Sequence, residues 1–184
     1  GAVVHFFDSL EKLKVGVTYN HHEESAALAA TAYAKVTNNI GCAIVTTGPT
    51  REYIDPVRYI SNESSGKQGY EVALALRKLG IKTKLIAGPS NFISSKNLRV
   101  KSITSAKEMM NEVKKSLPVD IAVCAAAVSD FRPITISKNK IKKNKNLNKI
   151  NLEKNDDILE YLSKNNKARP KIVVGFSAET ENII

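Results

Sequence analysis

From Gly41 onward, short apolar runs alternate with amphipathic stretches. Residues 41–47 form an apolar run closed by Gly48-Pro49, which predicts a buried strand followed by a turn. Residues 67–79 predict a helix with Tyr70, Ala73, Leu74 and Leu79 broadly on one face, Leu76 off that face, and Gly80 as the stop. Further strands are expected over 83–87, 98–103, 119–126 and 171–175. Between them, Thr104 or Ser105 caps a helix running through Met109, Met110 and Val113 to about Leu117, and residues 156–164 predict another. The uninterrupted run at 119–126 is of the kind covered on both faces in a parallel sheet. Residues 48–63 read as a polar loop. Before Gly41 the flavour changes: residues 3–13 predict a strand-helix or helical piece, 15–19 a short strand, and 23–35 an alanine-rich helix.

Strands separated by helices of this length imply βαβ units. The fold class expected is α/β, a Rossmann-like, doubly wound and mostly parallel sheet with helices on both faces. Ligands of such sheets bind outside the carboxyl ends of the strands. Chemistry is therefore sought in residues 47–69, 88–90, 125–149 and 175–180.

The chain has 184 residues, enough for one α/β domain with an appendage and too few for two full enzyme domains. Its 42% hydrophobic and 25% charged residues exclude a disordered chain. The longest uncharged apolar run, Ile121 to Val128, is far too short for a membrane span. Gly1 opens the chain without a basic-then-apolar leader, so no secretory signal is expected. Cys42 and Cys124 sit singly in apolar runs, which suits buried thiols in a reducing cytoplasm better than a zinc cage or a disulfide framework.

Charge changes the picture more than composition does. Seven of the ten excess positive charges fall between Phe131 and Lys149, on Arg132, Lys138, Lys140, Lys142, Lys143, Lys145 and Lys149, with no acid among them. The protein thus carries one basic loop, able to hold nucleic acid, a membrane surface or a small polyphosphate, or simply to sit in solvent. Its place after a predicted strand makes it a candidate lysine-rich active-site loop. It lacks the interleaved aromatics needed to stack on bases, which argues against nucleic acid.

The segment from Gly48 to Gly69 reads GPTREYIDPVRYISNESSGKQG. Ser64, Ser65, Gly66 and Gly69 put small residues at a helix N-terminus, where free N–H groups attract anions or where a plain cap suffices. Neither a dinucleotide fingerprint nor a Walker A string occurs there, and HExxH is absent around His21-His22-Glu23-Glu24. Read alone, Asp130 is a strand-end turn residue and Lys140 a solvated lysine.

As a whole, the string closely resembles the phosphopantothenate–cysteine ligases of coenzyme A biosynthesis. Four more segments continue the resemblance in order: Ala125-Ala-Ala-Val-Ser-Asp-Phe-Arg-Pro133, Lys140-Ile-Lys-Lys143, Asn155-Asp-Asp-Ile-Leu159 and Gly175-Phe-Ser-Ala-Glu-Thr180. Ser129, Asp156 and Ser177 depart from the family's alanine, proline and alanine. The resemblance covers residues 41–184 and implies a CTP- and magnesium-dependent ligation of 4′-phosphopantothenate to cysteine through an acyl-cytidylate. It further implies a cytoplasmic homodimer acting on small molecules, with no nucleic-acid or membrane partner. Carried over by position, Asn62 handles the acyl-cytidylate and Lys140 is catalytic. Lys142 and Lys143 become phosphate partners, Gly66 and Lys67 an anion-binding turn, and Ala126 and Phe176 the nucleotide-pocket lining. Asp130 would bond the nucleotide or hold its magnesium. Arg58 would reach phosphate or form a structural salt bridge.

Two departures stand out. The family continues beyond the point matched by Ile184, so part of the sheet and site is expected to be missing, and residues 1–40 do not resemble the flavin-dependent decarboxylase domain expected upstream. Instead Phe7-Asp-Ser-Leu10, Tyr19-Asn-His-His-Glu23, Ala30-Thr-Ala-Tyr-Ala-Lys35 and Ala43-Ile-Val-Thr-Thr-Gly-Pro49 resemble the pyrimidine-binding domain of thiamine-diphosphate enzymes such as acetolactate synthase. There Glu23 matches the cofactor-activating glutamate, and the resemblance ends where Thr50 replaces a glycine. The division expected is residues 1–40 as an appended segment and 41–184 as the ligase-like domain, joined at Thr47-Gly48-Pro49. The rival readings are a non-catalytic nucleotide-binding remnant, a thiamine-diphosphate enzyme fragment and a nucleic-acid-binding module.

Overall fold

A computed structural model describes residues 41–90, 98–142, 149–164 and 167–176. The elements expected before Gly41, with Glu23, lie outside the described residues, as do Lys143, Lys145 and the string after Phe176. In chain order the elements are β1 (Cys42–Thr47), β2 (Glu52–Asp55), β3 (Arg58–Ile60), α1 (Lys67–Lys78), β4 (Lys82–Ala87) and β5 (Arg99–Ser102). They continue with α2 (Ala106–Ser116), β6 (Ile121–Cys124), β7 (Phe131–Pro133), β8 (Leu152–Lys154), α3 (Ile158–Lys164) and β9 (Ile172–Gly175).

Five strands form a parallel sheet in the order β5-β4-β1-β6-β9. Strand periodicity of two divides its apolar side chains between two cores. Ala43, Val45, Leu85, Ile121 and Val123 pack against Val72, Ala73 and Leu76 of α1. Ile44, Ile86 and Ala122 pack against Met109, Met110 and Val113 of α2 and Ile158 and Leu162 of α3. Each fully buried aliphatic side chain contributes about 1.5–3 kcal/mol, so the central position of β1 follows from its having apolar residues on both faces. The expected doubly wound architecture is what the chain adopts.

Helix α2 begins where Ser105 accepts the Glu108 N–H at 3.3 Å while Glu108 takes the Thr104 N–H at 2.8 Å, so two otherwise free donors are satisfied. Helix α1 ends with Gly80 in the left-handed region at φ 83°, as its sequence implies. The expected core face of α1, however, is wrong by part of a turn. Leu76 is buried at 1% exposure and Leu79 is 38% exposed, because the face against the sheet runs Gly69, Val72, Ala73, Leu76. The small residues on that face let the helix backbone approach β1.

The polar loop before α1 contains a hairpin that pattern reading missed, β2 paired antiparallel with β3. A second small ribbon pairs β7 with β8, Phe131 opposite Lys154 and Pro133 opposite Leu152. Strands of three or four residues with mixed polarity carry no periodic signal, and the β7–β8 pairing spans the whole basic segment. Backbone N–H of Ser137 donates to Ile54 O at 2.9 Å, tying the chain after β7 to β2.

Candidate functional site

Strand order reverses at β1, with β4 on one side and β6 on the other. At such a switch point the following loops diverge and leave a crevice. Here the loops are then stitched together beyond the sheet. Ala127 N–H donates to Gly48 O at 3.0 Å, and Ser129 N–H donates to the Thr50 hydroxyl at 3.0 Å. Asn62 Nδ2 donates to Val128 O at 2.9 Å, and Ser61 Oγ to Thr50 O at 2.7 Å. Two segments more than sixty residues apart in sequence thus form one rim, with the exposed Asn62 on it.

Helix α1 points its N-terminus at the same edge. Gly66, its N-cap, has φ 75°, a conformation that costs other residues a steric penalty. The N-cap glycine offers α1 no side-chain cap and the first turn holds no acid. The Gly66 and Lys67 N–H groups donate to Ser64 Oγ and Ser65 Oγ at 3.3 Å each, so an anion at this turn would compete with two hydroxyls for them. Thr47 Oγ1 donates to Gly66 O at 2.6 Å and fixes the turn against the end of β1. Gly69 lies so close that a Cβ there would be 2.6 Å from Thr47 Oγ1. A cleft of about 180 Å³ opens beside the turn, lined by Thr47, Gly66, Tyr70, Gly88, Ser90 and Ser102 among others. Lys67, in the first turn, is exposed.

The 125–130 loop is held from its other side by Asn155. Its backbone N–H donates to Asp130 O at 2.8 Å and its Nδ2 to Ser129 O at 2.8 Å. Arg132 joins Asn155 Oδ1 at 2.8 Å and Glu153 at 2.9 Å. Asp130 leaves its carboxylate exposed, and Ala126 is partly buried against the core under α2 and α3. Phe176, 41% exposed, follows the carboxyl end of β9, the strand beside β6.

Lys140 and Lys142 are exposed, and the residue between them is gripped. Asp55 Oδ2 accepts the Ile141 N–H at 3.1 Å, while Arg58 Nη2 donates to Ile141 O at 2.8 Å. Arg58 and Asp55 are themselves an ion pair. Of the two readings open for Arg58, the structure adopts the salt bridge. The Arg58 guanidinium beside it holds the buried Asp55 carboxyl well below the usual carboxylate range. Desolvation pushes the Cys124 thiol up to about 12, with Asp157 adding to the effect, so Cys124 offers no thiolate. Both cysteine residues are only partly buried, less than the expected buried thiols.

Among the described residues no cluster of three or more His, Cys, Asp or Glu side chains is placed to hold a metal ion. A lone exposed carboxylate at Asp130 fits magnesium carried in on substrate phosphates, which asks one or two protein oxygens rather than a cage. Asp55, Glu52 and Asn155 were missed as functional positions. The only available hint was an acid or amide inside an otherwise polar motif, and burial is what distinguishes it. Glu52, 4% exposed, accepts the Ala106 N–H at 2.8 Å and so anchors β2 to the start of α2.

Comparison with known proteins gives two family matches. Residues 41–184 match the DNA/pantothenate metabolism flavoprotein C-terminal domain, and residues 1–55 match the thiamine pyrophosphate enzyme N-terminal TPP binding domain. The coenzyme A biosynthesis bifunctional protein CoaBC of Haemophilus influenzae is 44% identical over 140 residues, covering 76% of this chain and 35% of that protein. The CoaBC of Bacillus subtilis is 40% identical over 142 residues, 76% of this chain and 34% of its own length. The chain therefore spans about a third of the length of these relatives. A crystal structure of the CoaBC C-terminal domain superposes with TM-score 0.66 at 35% identity, covering 78% of this chain and 67% of that one. A Cab2 mutant in complex with phosphopantothenate-cysteine shares the fold, with TM-score 0.57 at 16% identity over 90% of this chain and 73% of that one.

Proposed function

We propose that this chain, which belongs to the DNA/pantothenate metabolism flavoprotein C-terminal domain family, is a ligase of coenzyme A biosynthesis that joins 4′-phosphopantothenate to cysteine. The finer reading is that CTP activates the acid. A carboxylate oxygen of 4′-phosphopantothenate attacks the α-phosphorus of CTP, and the bond to pyrophosphate breaks with its electron pair. The cysteine amine then attacks the acyl carbon of the acyl-cytidylate, CMP departs, and the ammonium proton passes to solvent.

The observation that carries the reading is the built rim at the carboxyl edge of the sheet. The Asn62 loop, the α1 N-terminal turn, the Asp130 loop and the Lys140–Lys142 segment all belong to chain following a sheet strand or bonded to such chain. A reaction among a triphosphate, a phosphate monoester and two carboxylates needs concentrated, pre-oriented positive charge and N–H donors more than an acid–base pair. Lys140 would stabilise charge on the transferring phosphoryl, with Lys142 and Lys143 on the remaining phosphates. Gly66 and Lys67 would take a phosphate at the helix terminus. One N–H of Asn62 is held by Val128 O at 2.9 Å, which orients the amide and leaves its second N–H and its oxygen for the acyl-cytidylate. Ala126 and Phe176 would line the nucleotide pocket. Magnesium, carried on CTP and held by Asp130, would neutralise phosphate charge.

A homodimer is also inferred. Val57 and Tyr59 of the β2–β3 hairpin and Phe131, Ile134, Ile136 and Leu152 of the β7–β8 ribbon are exposed large hydrophobic side chains on two neighbouring ribbons, the kind of apolar surface a partner covers. No helix among the described residues is long and apolar enough to cross a membrane; a cytoplasmic location belongs to this reading. Residues 1–40 are taken as an appended segment and 41–184 as the ligase-like domain, so Glu23→Ala leaves the reaction unchanged.

The test is pyrophosphate release from CTP and magnesium, with and without 4′-phosphopantothenate and cysteine. Release dependent on 4′-phosphopantothenate, and abolished by Lys140→Ala in a protein of unchanged circular dichroism, supports the reading. CTP binding without release would make the chain a nucleotide-binding remnant, and wild-type rates in Lys140→Ala would remove that lysine from the site.

A further inference from the structure

We infer that Asp55 is a positioning residue that, with Arg58, docks the lysine segment 138–142 onto the β2–β3 hairpin and so presents Lys140 and Lys142 to the site. The role assigned to those amines rests on the ligase reading; the docking does not. Asp55 has no accessible side-chain surface. Its Oδ1 accepts the N–H groups of Val57 at 2.9 Å and Arg58 at 3.0 Å, closing the hairpin turn. Its Oδ2 accepts Arg58 Nε at 2.9 Å and, from 86 residues away in sequence, the Ile141 N–H at 3.1 Å. Arg58 Nη2 completes the grip by donating to Ile141 O at 2.8 Å.

Both polar groups of Ile141 are therefore taken by one ion pair, in a stretch with no helix or strand of its own. Immediately before the segment, Ser137 N–H donates to Ile54 O at 2.9 Å, on the neighbouring residue of the same hairpin. A solvated lysine run needs no such anchorage. Long, flexible lysine side chains gain pre-organisation only if the backbone that bears them is fixed. A carboxylate surrounded by five N–H donors and held ionised by Arg58 does this at any ordinary pH. An amide in its place would turn an N–H toward another donor.

Hydrogen exchange read by mass spectrometry on a peptide spanning 138–142, beside pyrophosphate release, tests the inference in the full chain. Two variants are used. Asp55→Asn removes the charge, and Arg58→Met removes the grip on Ile141 O while leaving Asp55 its own backbone bonds should Asp55→Asn fail to fold. The expected result is protection of 138–142 in the parent, lost by about tenfold or more in each folded variant, with exchange at β1 and β4 unchanged. With it, kcat falls by roughly 10- to 100-fold while KM for CTP changes far less. An unprotected 138–142 peptide in the parent, or variants that keep its protection, overturns the docking. Lost protection with unchanged kcat overturns the positioning role. A parent with protected 138–142 but no pyrophosphate release sinks the ligase reading and leaves the docking established.

Discussion

Gly69→Ala is the most discriminating single change near the helix turn, because two simple expectations for it have opposite signs. In helix terms alone the substitution is favourable by about 1 kcal/mol, since alanine restricts the unfolded chain more and suits a helix interior better. The structure predicts the reverse. A Cβ at position 69 would stand 2.6 Å from both Thr47 Cβ and Thr47 Oγ1 and 2.9 Å from Thr46 O. Ordinary carbon contacts are about 3.5–4.0 Å, so α1 must retreat from β1 by roughly 1 Å. Overpacking of this kind costs about 1–3 kcal/mol. The retreat also stretches the 2.6 Å Thr47 hydroxyl to Gly66 O bond, a loss of about 1 kcal/mol. The net is a destabilisation of about 2 kcal/mol, or roughly 4–8 °C in Tm for a chain of this size. Because Gly66 moves with the helix, CTP affinity should weaken in parallel. Thermal unfolding and a nucleotide titration on the same preparation read both effects. A variant as stable as the parent, or more so, with unchanged nucleotide affinity would show that α1 does not sit against β1 as described.

Two further predictions concern titration. Asp55, Glu112 and Asp120 all have lowered carboxyl pKa values, set chiefly by the Arg58 side chain, the Lys84 side chain and the Cys42 N–H respectively. Groups depressed in the folded state contribute stability that is complete above their unfolded values, about 4, and is lost as pH falls through the folded ones. The urea midpoint should therefore be flat from pH 8 to about 5 and drop below about 4; an equal midpoint at pH 3 and pH 7 would contradict the ion pairs. Cys124, its thiol raised to about 12, should resist iodoacetamide at pH 8 in the folded protein and react only in denaturant. Rapid native labelling of Cys124, mapped by peptide mass, would count against its raised thiol.

What was legible in the sequence followed from periodicity, and what was not depended on contacts between distant segments. β1, β6 and β9 are apolar runs, β4 ends in one (Leu85-Ile-Ala87), and the polar edge strand β5 is marked by the apolar Leu98 and Ile103 that flank it, so these strands could be read along the chain and the helices between them then required the doubly wound arrangement. The orientation of α1 could not be read that way. Hydrophobicity favours Tyr70, Leu74 and Leu79 as its core face, whereas the absence of a Cβ at Gly69 decides how closely it packs and turns Leu76 inward. The proposed site residues Asn62, Gly66, Lys67, Ala126, Asp130, Lys140, Lys142 and Phe176 are carried over by position from the family resemblance; by residue type alone Asp130 reads as a turn residue and Lys140 as a solvated lysine. Neither route singles out Asp55. An acid in a polar loop reads as solvated until the chain brings Arg58 and Ile141 around it.

The same reasoning bears on the strand that both family matches share. The two matches overlap over residues 41–55, and the whole of β1 lies in that overlap. A central parallel strand demands little beyond apolar residues on both faces: Val45 lies between Leu85 and Val123, and Ile44 between Lys84 and Ala122. Many unrelated strands meet that demand, so β1 itself does not discriminate between the two ancestries. Residues just beyond it do. The Thr50 hydroxyl accepts the Ser129 N–H at 3.0 Å in a buried setting, and Glu52 accepts the Ala106 N–H at 2.8 Å. The glycine that the thiamine-diphosphate pattern carries at position 50 would leave the Ser129 N–H buried without a partner, at a cost of about 1–3 kcal/mol. From Thr50 onward the chain therefore answers to partners in the loop after β6 and at the start of α2 that only the match over residues 41–184 contains, while up to Pro49 a strand from either family would fit.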